Sequence, residues 1–282
     1  MKPILRIAAL ALLAGILGAC DAVRLAYDNA DTFLHWRLTG YVKVSGKAAD
    51  ELDDRIDDFL TWHRARALPQ YARLSADAAR RLAVGLSPAD LVWGYDAFVA
   101  QAKESLHQAA ERIAPMLDRL TPEQLAQLEK RFAEDNRKFS RENRGSEKER
   151  RIRRAKRTAG QLEEWVGKLN KAQVERVRQM SERVPLYDDL RERERKRLQA
   201  EFLAIVRAHE AQKRLPAFVN TWERGRDPAL AAMGQIWRSE YEKMLIDIDR
   251  SLSAEQRAKA VARLRGFSED FAVLASASAQ GR

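Results

Sequence analysis

The chain has 282 residues and a single cysteine, Cys20. No disulfide can form within one chain from that, and no cysteine-rich zinc site can be built. Thirteen glycines and eight prolines are too few for the turns that a β-rich protein of this length requires. Histidine is as sparse: His35, His63, His107 and His209 never fall at metal-ligand spacing. The sequence holds no HExxH, no glycine-rich phosphate loop, no dinucleotide turn and no GxSxG elbow. Enzyme, metal and cofactor signatures are therefore missing, and the expectation is a protein that acts by binding. What the chain does have is apolar residues, at 45%, and charge, at 33%. The first suffices for a core, and the length fits one domain or at most two.

Lys2 and Arg6 precede an apolar run over residues 7–17. The run is shorter than the roughly 20 residues of a membrane span and has the layout of a secretory signal. It ends in Leu17, Gly18, Ala19 and Cys20, which resembles a bacterial lipobox. The resemblance implies cleavage before Cys20, a diacylglyceryl group on its thiol and a palmitate-type acyl chain on the new amino group. Several acyl chains together give stable anchoring, which one does not. The expected organisation is a lipoprotein signal peptide over 1–19 and one domain over 20–282, lipid-anchored in the cell envelope and facing the periplasm. Asp21 resembles an inner-membrane retention signal in the better-known Gram-negative sorting system, and the outer membrane stays open.

From residue 23 onward the apolar spacing is three and four, never a sustained two. Leu125, Leu128, Phe132 and Phe139 share a face, as do Leu162, Trp165, Val166 and Leu169, then Leu198, Phe202, Ile205 and Val206, then Val261, Leu264, Phe271 and Leu274. This spacing predicts an all-α fold of roughly eight to nine amphipathic helices, as a bundle or an elongated array. The helices are expected over 23–39, 47–84, 88–118, 122–144, 147–168, 171–183, 187–213, 228–250 and 254–275. Pro69 should kink or divide the second, Pro115 should disturb the end of the third, and Pro185 and Pro216 should mark breaks.

An element recurs at helix starts: Leu120-Thr121-Pro122-Glu123-Gln124, Leu169-Asn170-Lys171-Ala172-Gln173, Leu252-Ser253-Ala254-Glu255-Gln256 and, more loosely, Leu86-Ser87-Pro88-Ala89-Asp90. It resembles the Leu-Thr-x-x-Gln motif of the Spy and CpxP family of periplasmic helical chaperones and stress regulators. Capping chemistry accounts for the same residues without kinship. Thr121, Asn170 and Ser253 are N-caps, the glutamine three positions on closes a capping box, and Pro88 and Pro122 occupy the first helical position. Leu169 is expected to staple onto Val174. A second resemblance covers more of the chain. Arg24-Leu25-Ala26-Tyr27-Asp28-Asn29-Ala30, Trp62-His63-Arg64, Leu68-Pro69-Gln70-Tyr71, Phe132-Ala133-Glu134-Asp135-Asn136 and Gly225-Arg226-Asp227-Pro228 together resemble a family of uncharacterised Gram-negative lipoproteins. That resemblance implies location and helical fold, and no activity.

Lysine and arginine total 51 against 41 aspartates and glutamates, a net charge of +10. The densest basic run is Lys148, Arg150, Arg151, Arg153, Arg154, Lys156 and Arg157, with Ile152 and Ala155 as its thin apolar face. In a cytoplasmic protein this would suggest nucleic acid, but an exported chain does not meet it. Anionic lipid and acidic protein clients remain, each basic residue adding about 1 kcal/mol near an anionic surface. A solvated, salt-bridged helix explains the run equally simply. The stripe Asp50, Asp53, Asp54, Asp57 and Asp58 reads as a solvated face. Glu163 and Glu164 beside Trp165 lack the opposed carboxylate that glycan hydrolysis needs. Two roles stay open: chaperone-like or stress-related client binding, and a membrane-proximal scaffold that meets anionic lipid or a partner protein through 148–157.

Overall fold

Helix starts in this protein coincide with residues that can cap them. In the computed structural model, which describes residues 23–280, Ser87, Thr121, Ser146 and Asn170 all have extended backbone. Each accepts a hydrogen bond from the N–H three residues on, at 3.2 Å from Asp90, 3.3 Å from Gln124, 3.3 Å from Glu149 and 2.9 Å from Gln173. The side chains of those four residues return to the cap's own N–H. Ser253 and Gln256 exchange the same pair of bonds. Two of the four N-terminal donors that no helical carbonyl reaches are engaged in this way. The box at Ser146 lacks the leucine and glutamine of the recurring element, and follows Gly145, whose φ of +112° is left-handed. There an added Cβ would come within 2.8 Å of Glu149 Oε2.

The described residues form eleven α-helices and no strand: α1 Ala30–Thr39, α2 Lys47–Trp62, α3 Leu68–Val84, α4 Pro88–Leu117, α5 Pro122–Glu142, α6 Glu147–Val166, α7 Lys171–Arg183, α8 Asp188–Arg207, α9 Ala211–Thr221, α10 Pro228–Arg250 and α11 Ala254–Gln280. A further helical turn precedes α1 over 23–28. None of these helices is long and apolar enough to cross a membrane. The count exceeds the eight to nine expected because two long segments divide. The first divides just before Pro69, where His63–Ala67 is a π-turn and the Leu68 N–H reaches back to the His63 carbonyl. Proline lacks an N–H and its ring collides with the carbonyl four residues back, so the turn ahead of it widens. The second divides over 208–210, where His209 takes a left-handed φ of 54°. Asp118 causes this break from another helix: its carboxylate accepts the Ala211 and Gln212 N–H groups, capping α9 from outside. Pro216, expected to mark a break, lies inside α9, where it deprives only the Gln212 carbonyl of a partner. Pro115 is likewise accommodated in α4, which ends two residues later.

The buried apolar residues collect in separate clusters. Leu162 and Val166 of α6, Leu169 of the connection that follows, Val177 and Met180 of α7, Met244 and Ile248 of α10 and Ala260 of α11 form one. Ala110 and Ala114 of α4, Ile205 of α8, and Ala211 and Leu215 of α9 form a second. Leu52, Ile56 and Leu60 of α2 make a third with Tyr27, Ala30 and Leu34 packed on it. The long helix α11 runs along α3, the most extensive helix pairing in the fold. Polar ties join the clusters. Gln173, 0% exposed, exchanges amide bonds of 3.0 and 3.1 Å with Gln256, so the capping boxes of α7 and α11 lock face to face. Asp249 accepts from Arg257 Nη1 at 2.7 Å and from the Leu86 N–H at 3.0 Å, tying α10 and α11 to the start of α4. Asp270, 1% exposed, holds Arg24 at 2.7 Å.

Asp249→Ala removes the carboxylate of a largely buried pair, leaving the Arg257 guanidinium only the Leu82 and Asp249 carbonyls and the Leu86 N–H without its acceptor. The expected loss is about 3–5 kcal/mol, read as a lower urea midpoint at unchanged slope. A loss below about 1 kcal/mol would show the tie to be dispensable.

Candidate functional site

The seven basic residues over 148–157 ride on α6, and the structure divides them into two groups. Arg151 donates to the carbonyls of Ser181 and Val184, both at 3.0 Å, and also to Glu182 O. Arg154 donates to Ser181 O at 2.5 Å, Val184 O at 2.6 Å and Pro185 O at 3.2 Å. Those carbonyls close α7, where no further helical N–H is available, and a guanidinium suits both their lone pairs and the negative end of the helix dipole. Arg150 pairs with Asp188, and Arg153 donates to Arg144 O in the turn before α6. Burial, then repulsion from Arg151, pulls the Arg154 pKa below its ordinary value. Lys148, Lys156 and Arg157 are exposed, and no side chain or carbonyl of the described residues pairs with them. The basic run is thus part clamp and part free charge.

Beside this clamp a groove of about 1060 Å³ opens between α6 and α7. Its floor comes from Ile152, Ala155, Ala159 and Gly160, the stripe that four- and three-residue spacing puts on one side of α6, and from Val174 on α7. Ile152 is 57% exposed and Val174 45%. Leu169, just before α7, is buried beside Val166 and Val177. Gly160 leaves the floor open, with no atom within 4 Å of where a Cβ would stand. On the rims, Arg178 is held by Glu175 and Glu182, Arg151 by Glu147 at 2.5 Å, and Glu163 accepts the Leu169 N–H at 3.1 Å. Lys148 and Lys156 are the rim charges left without a partner. An apolar floor with spare ammonium groups can hold a segment that carries apolar and acidic side chains together.

The other candidates have structural surroundings. His63 is half-buried among Tyr27, Phe59, Trp62 and Tyr71, with its Nδ1 2.8 Å from the Tyr27 hydroxyl, and burial holds its pKa below the usual value. His35 faces Asp53 at 2.5 Å, His107 meets Asn220 at 2.9 Å, and His209 meets the Asp118 carbonyl at 2.7 Å. Trp165 packs on Phe267 with Arg263 over its ring at 4.9 Å, so it is no open sugar platform. No group of three or more potential metal ligands occurs among the described residues. Cys20, the expected lipidation site, and Asp21 lie outside the described residues.

Arg154→Ala would take the donor from the Pro185 carbonyl and leave the Ser181 and Val184 carbonyls to Arg151 alone in a half-buried setting. It should cost about 2 kcal/mol, whereas Lys156→Ala should leave the melting temperature unchanged. Equal behaviour of the two in thermal unfolding would contradict the division into clamp and free charge.

A model of DUF6279, a family of unknown function, matches residues 40–224. No curated protein and no solved structure matches the chain. That match spans well over half of the sequence, and the chain belongs to this family.

Proposed function

For a member of a family whose function is unknown, we propose a non-catalytic role: a lipid-anchored envelope protein, facing the periplasm, that binds amphipathic and acidic segments of client proteins in the groove between α6 and α7. The observation that carries this reading is the exposed apolar floor, Ile152, Ala155, Ala159, Gly160 and Val174, bordered by the unpaired Lys148 and Lys156. Burial of apolar surface holds a segment without demanding one sequence, at roughly 25 cal/mol per Å² removed from water. The two ammonium groups bias capture toward acidic neighbours and speed encounter. The lipobox-like end at Cys20 and the signal layout before it support the location, and the capping boxes that resemble Leu-Thr-x-x-Gln are compatible with a chaperone-like or stress-related role. Asp21 favours the inner membrane.

A second reading is a membrane-proximal scaffold that meets anionic lipid or a partner through 148–157. One observation favours it: Lys148, Lys156 and Arg157 keep their charge free of internal partners, and such residues strengthen attachment to an anionic leaflet.

Gly160→Leu adds bulk at a position where a Cβ has no atom within 4 Å and removes a helical glycine, so the fold should hold or gain slightly. The purified protein should suppress light scattering by a denatured model client near stoichiometric ratio, and Gly160→Leu and Ile152→Asp should lose that suppression. Full activity in both variants would move client binding elsewhere or dismiss it. Anchoring is tested separately: cells fed labelled palmitate should incorporate it into the protein, and Cys20→Ser should lose both label and membrane partition. A Cys20→Ser chain that still carries acyl groups would overturn the lipoprotein assignment.

A further inference from the structure

On the side of α6 away from the groove, arginines gather where few anions meet them. Arg150, Arg153, Arg154 and Arg157 follow the spacing three, one and three, which aligns them on one face of the helix. With Arg191 of α8 they line a small cavity of about 90 Å³ beneath the connection from α7 to α8. The carboxylates at its wall are Asp188 and Glu142. Asp188 is already divided between Arg150, which it bonds, and Arg191 at 3.7 Å, and Glu142 lies 3.9 Å from Lys138. Five guanidiniums therefore share two carboxylates, both engaged. Arg157 has no internal partner, and Arg150 Nε is buried with no acceptor in reach.

A buried N–H without an acceptor costs free energy comparable to a lost hydrogen bond, and native proteins rarely leave one. Clustered guanidiniums add mutual repulsion, consistent with the depressed pKa of Arg154. One added oxyanion offsets that repulsion. The small volume suits a single tetrahedral group. The planar fork of arginine matches two oxygens of a phosphate, a geometry that lysine does not offer. Tyr187, whose hydroxyl burial keeps protonated above its usual range, adds a donor at the wall.

We propose that this cavity between α6, α8 and the connection before α8 is a phosphate-binding site, taking one phosphate group either free or at the end of a phospholipid headgroup. It is separate from the groove and does not depend on client binding or on lipidation of Cys20. Asp188 has a set role in it: paired with Arg150, it keeps the arginine face assembled when the anion is absent, and the anion then pairs with Arg157 and Arg191.

The test uses the full chain as Cys20→Ser, so that acyl chains do not confuse it. Inorganic phosphate and glycerol 3-phosphate are titrated calorimetrically against chloride at matched ionic strength. Vesicles of phosphatidate in phosphatidylcholine are compared with phosphatidylcholine alone. Saturable binding is expected, with Arg157→Gln and Arg191→Gln each weakening it about tenfold or more, the worth of one charge-assisted hydrogen bond. Neither substitution should move the melting temperature in chloride, which keeps a folding defect distinct from a lost site. Binding of the soluble phosphates identifies a free ligand, and binding of phosphatidate vesicles alone identifies a headgroup; either supports the site. Chloride matching phosphate in effect, or affinity unchanged in both variants, would overturn it.

Discussion

Every α-helix leaves four N–H groups and four carbonyls without intrahelical partners, and the eleven helices of the described residues multiply that requirement. Here partners come repeatedly from other helices. Asp118 at the end of α4 caps α9, Arg151 and Arg154 of α6 close α7, Asp249 of α10 takes the Leu86 N–H before α4, and Gln124 of α5 donates to the Lys43 carbonyl ahead of α2 at 2.8 Å. Each of these bonds fixes where one helix end stands relative to another helix. With apolar residues divided among separate clusters, hydrophobic burial alone would leave the relative placement of those clusters loosely specified, since it is non-directional. The polar joints at helix ends supply the direction.

The same constraint explains why so much arginine does not amount to so much free charge. A guanidinium carries five donors in a fixed fork, so one side chain can reach several carbonyls at a helix terminus. Arg154 meets three carbonyls and a hydroxyl, and Arg257 meets the Leu82 and Asp249 carbonyls as well as the Asp249 carboxylate. Lysine, a point charge on a flexible stem, could not replace either. Net charge read from composition therefore overstates what is offered to a partner, and the surface that remains is set by the basic side chains that no internal carbonyl or carboxylate engages.

The local layer of this structure was legible in the sequence. Cap and glutamine three residues on are contiguous, and the expected boxes at Thr121, Asn170 and Ser253 have their bonds in place, with a further one at Ser87. So was the burial of Leu162, Val166, Leu169, Ile205, Val206, Val261 and Leu274, because three- and four-residue spacing is enough to define a face. The split at 208–210 was not legible, since its cause, Asp118, stands 93 residues before Ala211. The fate of the basic run was hidden for the same reason: Arg151 and Arg154 find acceptors some 30 residues on, and a charge run looks the same whether its partner is a distant carbonyl or water.

The two sides of α6 consequently differ in the kind of ligand they can select. On the groove side the free cations are lysines over an apolar floor, an arrangement that tolerates variation, because an ammonium group accepts an anion from many directions and apolar contact has no register. On the opposite side the cations are arginines held at fixed spacing by Asp188 and the turn before α6, around a space that admits one small group. Fixed forks around a confined volume discriminate by geometry, whereas mobile point charges beside an open surface do not. The helix that clamps the end of α7 thus also separates a permissive surface from a selective one. Because both depend on the docking of α6 through Arg151 and Arg154, loosening that clamp would disturb the two together, while filling the groove at Gly160 or removing Arg157 would affect each alone.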